Sequence, residues 1–165
     1  MAVLDGGLAG WKRSKRALED HTPSVAPRDF KAQPRNMAVD VGQVLADLHA
    51  EHVLIVDARS PQRFRGENET LDPVGGHIPG AANRFYVENL DDDGCFFKPV
   101  AELRAEFDTL LGGRPAAQVV QQCGSGVTAC HNLLAMELAG LSGSKLYAGS
   151  WSEWCADPSR PVATG

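Results

Sequence analysis

The chain has 165 residues, 43% hydrophobic and 22% charged, with a formal net charge of −5. That length allows one domain with its own core, and the composition is ordinary for a soluble globular protein. No apolar run approaches a membrane span, and Met1 to Gly10 lacks the basic start and apolar core of a secretory signal, so no membrane partner is expected. The charge is uneven: residues 1–40 carry seven Lys/Arg against five Asp/Glu, and the rest carry nine against sixteen. The basic run Lys12-Arg13-Ser14-Lys15-Arg16 reads as a solvated helix end. No basic patch with interleaved aromatics accompanies it, so no nucleic-acid partner is expected. The four cysteines, Cys95, Cys123, Cys130 and Cys155, form no Cys-x-x-Cys pair and no Cys/His zinc spacing. No metal site is therefore expected, and free thiols in a reducing cytoplasm are.

Along the chain, Val3 to Trp11 aligns without a gap on Leu146 to Trp154, with Gly6 on Gly149 and Trp11 on Trp154. Each copy reads as the closing strand, turn and helix of a domain. The first copy has no domain before it, so residues 1–20 are expected to close a preceding, related domain. Residues 21–37, with three prolines and few apolar side chains, read as a linker. Asp40 caps a predicted helix to about His49, with Val41, Val44, Leu45 and Leu48 on one face. Val53-Leu54-Ile55-Val56, ending at Asp57, reads as a parallel strand buried on both faces. A short helix follows Ser60-Pro61, and residues 66–82 read as loop. Pro99 to Leu111 reads as a helix stopped by Gly112-Gly113. A strand at Val119-Val120, a helix from Ala129 to Leu138, a strand near Lys145-Leu146-Tyr147 and a helix around Trp151 to Trp154 complete the pattern. Alternating strand and helix makes this an α/β fold, a mostly parallel sheet with helices on both faces, and residues 38–165 form its domain. Ligands of such sheets sit at strand carboxyl ends, where Asp57 and Cys123 both lie.

The most informative run is Cys123-Gly124-Ser125-Gly126-Val127-Thr128. A cysteine at a strand end, a glycine-rich turn and then a helix is a recipe for a reactive thiolate. Glycines let successive N–H groups point at one centre, and the helix N-terminus adds partial positive charge. A sulfur anion placed there is stabilised. Cys130, about two turns into the helix, reads as a packing residue.

Five stretches in this order resemble the two-domain rhodanese family of sulfurtransferases: Val56-Asp57-Ala58-Arg59, Arg63-Phe64-Arg65-Gly66, Gly76-His77-Ile78-Pro79-Gly80-Ala81, Cys123 to Ala129, and Gly149-Ser150-Trp151-Ser152-Glu153-Trp154. The resemblance implies a rhodanese-like fold, with residues 38–165 as the catalytic domain and an N-terminal rhodanese-like domain as partner. It implies that Cys123 takes a sulfane sulfur from a small-molecule donor, becomes a persulfide, and passes the sulfur to cyanide or a thiol, without a cofactor. The persulfide anion would rest on the backbone N–H groups of Gly124, Ser125, Gly126, Val127 and Thr128. Family members that prefer thiosulfate place basic residues directly after the cysteine. Gly124 and Ser125 instead resemble the 3-mercaptopyruvate type, in which the Ser125 hydroxyl would assist proton transfer. Helix capping is the other role open to Ser125. Arg63 matches the family arginine that holds the donor's anionic group. Mercaptopyruvate enzymes often carry a second arginine before the Gly-His-Ile-Pro-Gly stretch. Here Glu67-Asn68-Glu69-Thr70-Leu71-Asp72-Pro73 has none and is acidic. Asp57, Arg59 and His77 read as structural braces, His131 as a polar helix residue, and Trp151 and Trp154 as packing residues. A thiosulfate sulfurtransferase and a non-catalytic rhodanese module are the alternatives. A phosphatase is disfavoured, because no arginine lies between Cys123 and Leu138 to hold a phosphate.

Overall fold

The computed structural model describes residues 3–50 and 52–165. Met1 and Ala2, which fall within the expected closing segment, and Glu51 lie outside the described residues. Five parallel strands form one sheet in the order β1-β5-β4-β2-β3. They are β1 (Ala38–Val39), β2 (Leu54–Asp57), β3 (Ala82–Asn83), β4 (Val119–Gln122) and β5 (Lys145–Tyr147). Helices α1 (Gly7–Arg13), α2 (Val41–Asp47), α3 (Pro61–Arg65), α4 (Val100–Leu111), α5 (Ala129–Leu138) and α6 (Ser150–Cys155) complete it.

The predicted local signals operate as physics requires. Asp40 accepts from the Gln43 N–H while the Gln43 side chain accepts from the Asp40 N–H, a capping box that starts α2 and contributes about 1 kcal/mol. Gly112 ends α4 in the left-handed conformation. β2 is buried at all four residues, as its unbroken apolar run requires. On one face of the sheet, Leu103, Phe107 and Leu111 of α4 pack with Ala135 and Met136 of α5. On the other, Val44 of α2 packs with Trp151 and Trp154 of α6. The helices thus cover both faces. No helix among the described residues is long and apolar enough to cross a membrane.

Two short strands lie outside the predicted elements. β1 follows the proline-rich stretch and pairs Ala38 with Leu146 and Val39 with Tyr147. β3 falls where the sequence reads as loop; it pairs Ala82 with Val56 and Asn83 with Asp57. Each has only two residues, too few to show a period, and exists because a neighbour offers hydrogen bonds.

Register places the site. Leu54 pairs with Val119 and Asp57 with Gln122. The chain leaves β2 towards β3 on one side and leaves β4 towards β5 on the other. The switch point therefore falls between β2 and β4, where a crevice opens beyond the carboxyl ends. Ala58 and Cys123 step into that crevice from adjacent strands.

Helix α1 lies against the loop before α4. The Phe96 ring packs over Gly6 and Gly10, the Asp5 carboxylate accepts from the Phe97 N–H at 3.1 Å, and Arg13 pairs with Asp93 at 3.3 Å. Val3, Leu4 and Leu8 remain exposed. Gly7 has φ 52° and Ser150, its aligned counterpart, φ 53°.

Candidate functional site

Cys123 follows the last residue of β4 and is only 2% exposed. Its N–H donates to Ser150 Oγ at 3.1 Å, and its carbonyl accepts from the Trp151 N–H at 3.0 Å. Ser150 is fully buried, and its hydroxyl donates to the Tyr147 carbonyl at 2.8 Å. Its φ of +53° is sparsely populated by residues with a side chain. This one hydroxyl therefore joins the ends of β4 and β5. The Gly124 carbonyl accepts from the Ser152 N–H at 2.9 Å, so α6 holds the first two residues of the run by their carbonyls.

Those bonds leave the donors free. Among the described residues, none of the backbone N–H groups of Gly124, Ser125, Gly126, Val127 and Thr128 donates to another group. Gly126 makes the curl possible: its φ is +80°, and a Cβ there would lie 2.6 Å from the Ala148 carbonyl oxygen. α5 begins at Ala129, with Thr128 at the cap position and no side-chain cap bond. Ser125 therefore does not cap α5. It is exposed, and its hydroxyl has no bond among the described residues. Five unpaired N–H groups ahead of a helix N-terminus make a cradle for an anion.

Cys123, Gly124, Ser125, Val127, Thr128, Arg63, Leu71, Asp72 and Ser152 line a pocket of about 260 Å³. The structure brings Arg63 to the cysteine loop, while Gly126 lies beneath the loop against Ala148. A Cβ on Gly124 would lie 3.6 Å from both terminal guanidinium nitrogens of Arg63. Arg63 is the middle residue of α3, which ends at Gly66 with φ 80°.

The acidic segment turns back onto this arginine. Arg63 Nε donates to Glu69 at 2.9 and 3.1 Å, and its Nη2 donates to Asp72 Oδ2 at 3.0 Å. Asp72 Oδ1 accepts from Ser152 Oγ at 2.6 Å. Behind them, Arg59 forks onto Asp57, reaches the Gly76 carbonyl at 2.6 Å and lies 4.7 Å from the Trp151 ring centre. Burial alone would raise the Glu69 carboxyl, but bonds from Arg63 and from the Leu71 and Asp72 amides outweigh it and hold it below the ordinary value. Glu69, Asp72 and Ser152 are site residues that sequence reasoning did not single out. The signal was the acidic run itself, together with the serine inside the Gly-Ser-Trp-Ser-Glu-Trp stretch.

The remaining residues sort clearly. Asp57 and Arg59 are structural, and so is His77, whose Nδ1 lies 2.8 Å from the Phe64 carbonyl and whose ring stacks on Phe64. Trp151 and Trp154 are fully buried. His131 is half-buried against Tyr86 and Phe97, and burial lowers its pKa. All four cysteines are free. Burial pushes the Cys155 thiol up, which keeps it protonated. Cys130 corrects the expectation of a packing residue: it is exposed, because its thiol turns back to the Gly126 carbonyl at 3.3 Å rather than into the core.

Residues 40–157 match the family model of the rhodanese-like domain. The chain belongs to the rhodanese family. A Pseudomonas aeruginosa relative named "Probable 3-mercaptopyruvate sulfurtransferase" is 51% identical over 99% of this chain and 57% of its own length. The thiosulfate sulfurtransferase of Cricetulus griseus is 35% identical over 100% of this chain and 57% of its own length. The solved 3-mercaptopyruvate sulfurtransferase of Leishmania major superposes with a TM-score of 0.73 at 31% identity, covering 92% of this chain and 42% of that one. The chain therefore spans little more than half the length of these curated relatives.

Proposed function

We propose that this chain is the nucleophile-bearing part of a sulfurtransferase that moves a sulfane sulfur from 3-mercaptopyruvate to cyanide or a thiol. The observation that carries the reading is the cradle. A cysteine stands at a pocket lined by a guanidinium and by four residues of a loop whose five backbone N–H groups have no partner among the described residues. In the first step the Cys123 thiolate attacks the donor's thiol sulfur. An S–S bond forms and the C–S bond breaks, and its electron pair leaves on the pyruvate enolate. That carbon takes the proton given up by the thiol, leaving a persulfide anion on Cys123. In the second step cyanide attacks the outer sulfur, the S–S bond breaks, and thiocyanate leaves with the Cys123 thiolate restored. This is a covalent two-step displacement with ping-pong kinetics.

In this reading Arg63 Nη1, which has no acceptor bonded to it within hydrogen-bond reach among the described residues, takes the donor carboxylate. Ser125, with its hydroxyl free, relays the proton. Gly124, Gly126, Val127 and Thr128 hold the persulfide anion through their N–H groups. The loop itself offers no cation for a dianion, which favours mercaptopyruvate over thiosulfate. No cofactor takes part. We assign residues 1–20 to the closing segment of a preceding rhodanese-like unit, 21–37 to a linker and 38–165 to the catalytic domain. The aligned repeat, with a left-handed residue at the same position of both copies, supports the first assignment. The free thiols suit the reducing cytoplasm.

The test is thiocyanate formation from cyanide with 3-mercaptopyruvate and thiosulfate side by side. The expected result is turnover that favours mercaptopyruvate and vanishes in Cys123→Ser. Turnover that survives in Cys123→Ser, or a preference for thiosulfate, would overturn the assignment of nucleophile or donor respectively.

A further inference from the structure

Asp72 has no part in the chemistry above, yet it lines the pocket with Cys123 and is the only acidic residue to do so among the described residues. It is well anchored: Arg63 donates to one oxygen and Ser152 to the other, at 3.0 and 2.6 Å. Its side chain is 8% exposed. The charges behind it do not compensate. Asp57, Glu69 and Asp72 face Arg59 and Arg63, three carboxylates to two guanidinium groups. An anion entering the pocket therefore meets a cation whose Nε and Nη2 are already taken, with a fixed carboxylate beside them.

We propose that Asp72, held in place by Ser152, is the specificity-determining residue of this site: it admits singly charged donors and turns away doubly charged ones such as thiosulfate. For its substrates this rests on the sulfurtransferase reading above. The physical argument does not depend on the reaction. Repulsion from a fixed charge is proportional to the charge of the incoming group. Whatever factor Asp72 costs a monoanion, a dianion pays that factor squared. A unit charge ~7 Å away through a water-like dielectric costs a monoanion about threefold and a dianion about ninefold.

The experiment compares the unmodified chain with Asp72→Asn, Asp72→Glu and Ser152→Ala. Asp72→Asn is expected to raise kcat/KM for thiosulfate about threefold more than for 3-mercaptopyruvate, mainly through KM. Asp72→Glu and Ser152→Ala, which keep the charge, leave the donor ratio near that of the unmodified chain. Asp72→Ser is a second charge-removing variant in case the amide disturbs folding. A second arm needs no turnover: alkylation of Cys123 by anionic iodoacetate and neutral iodoacetamide, followed on the Cys123 peptide by mass spectrometry. Loss of the Asp72 charge is expected to raise the ratio of iodoacetate to iodoacetamide rates about threefold, since any gain in thiolate at Cys123 speeds both reagents alike. A shifted alkylation ratio without thiocyanate from any variant would retain the charge filter while the sulfurtransferase reading falls. Equal changes with both reagents, or an unchanged donor ratio, would overturn the proposal and leave Asp72 a structural brace.

Discussion

Replacing Gly126 with alanine tests whether the cradle depends on one backbone conformation. Gly126 has φ +80°, and an added Cβ would lie 2.6 Å from the Ala148 carbonyl oxygen, a backbone atom that no side-chain rotation can move. The left-handed conformation costs a residue with a Cβ about 1–2 kcal/mol, and relieving the overlap costs about 1–3 kcal/mol more. A total near 3 kcal/mol lowers the melting temperature of a chain this size by about 6–12 °C. The loop must shift to relieve the clash, so iodoacetamide labelling of Cys123 is expected to slow on the order of tenfold. Gly124→Ala is the control. Gly124 has no positive φ, and its added Cβ would meet only the Arg63 nitrogens at 3.6 Å, an ordinary contact. Its cost should stay under about 1 kcal/mol. Thermal denaturation and labelling kinetics on both variants read the difference. Equal stability and equal labelling in the two would refute the reasoning that the curl at Gly126 builds the cradle.

Other expectations follow from the same geometry. Ser150→Ala leaves the Cys123 N–H and the Tyr147 carbonyl without their shared partner, at a cost of about 1–3 kcal/mol in urea denaturation; a loss within error of zero would contradict the bridge. Arg63→Gln should lower kcat/KM for a carboxylate donor about 10- to 100-fold, chiefly by raising KM, and an unchanged KM would remove Arg63 from the donor site. Glu69 titrates below the ordinary value of 4.5 in the folded chain. Its contribution is therefore fully present above that value and is lost as pH falls through the lower folded one. The stability gap between the unmodified chain and Glu69→Gln should thus be widest near neutral pH and close in acid; a gap constant across the acid range would rule out the ionised pair as its source.

Most of the framework was legible because its signals are local. Asp40 and Gln43 lie three residues apart and cap α2 by themselves, and Gly112 stops α4 without help from the rest of the fold. The apolar run before Asp57 and the Cys123 loop each carry their own pattern. What stayed hidden depends on residues far apart in the chain. Ala38–Val39 and Ala82–Asn83 are strands only because Leu146 and Val56 lie beside them. The acidic segment shows that a second arginine is missing. It does not show that Glu69 and Asp72 fold back onto Arg63, or that Ser152 reaches Asp72 across 80 residues of sequence. The outward turn of Cys130 was illegible for a related reason. A thiol suits the core as well as a carbonyl partner, and the Gly126 carbonyl is offered only once the loop has curled.

The most direct test of the account is the mass of the Cys123 peptide after brief exposure to 3-mercaptopyruvate. The account predicts one added sulfur atom on Cys123 and on no other cysteine, removed by cyanide with an equal yield of thiocyanate. A peptide of unchanged mass, or added sulfur that cyanide does not discharge, would contradict the claim that this loop carries a transferable persulfide.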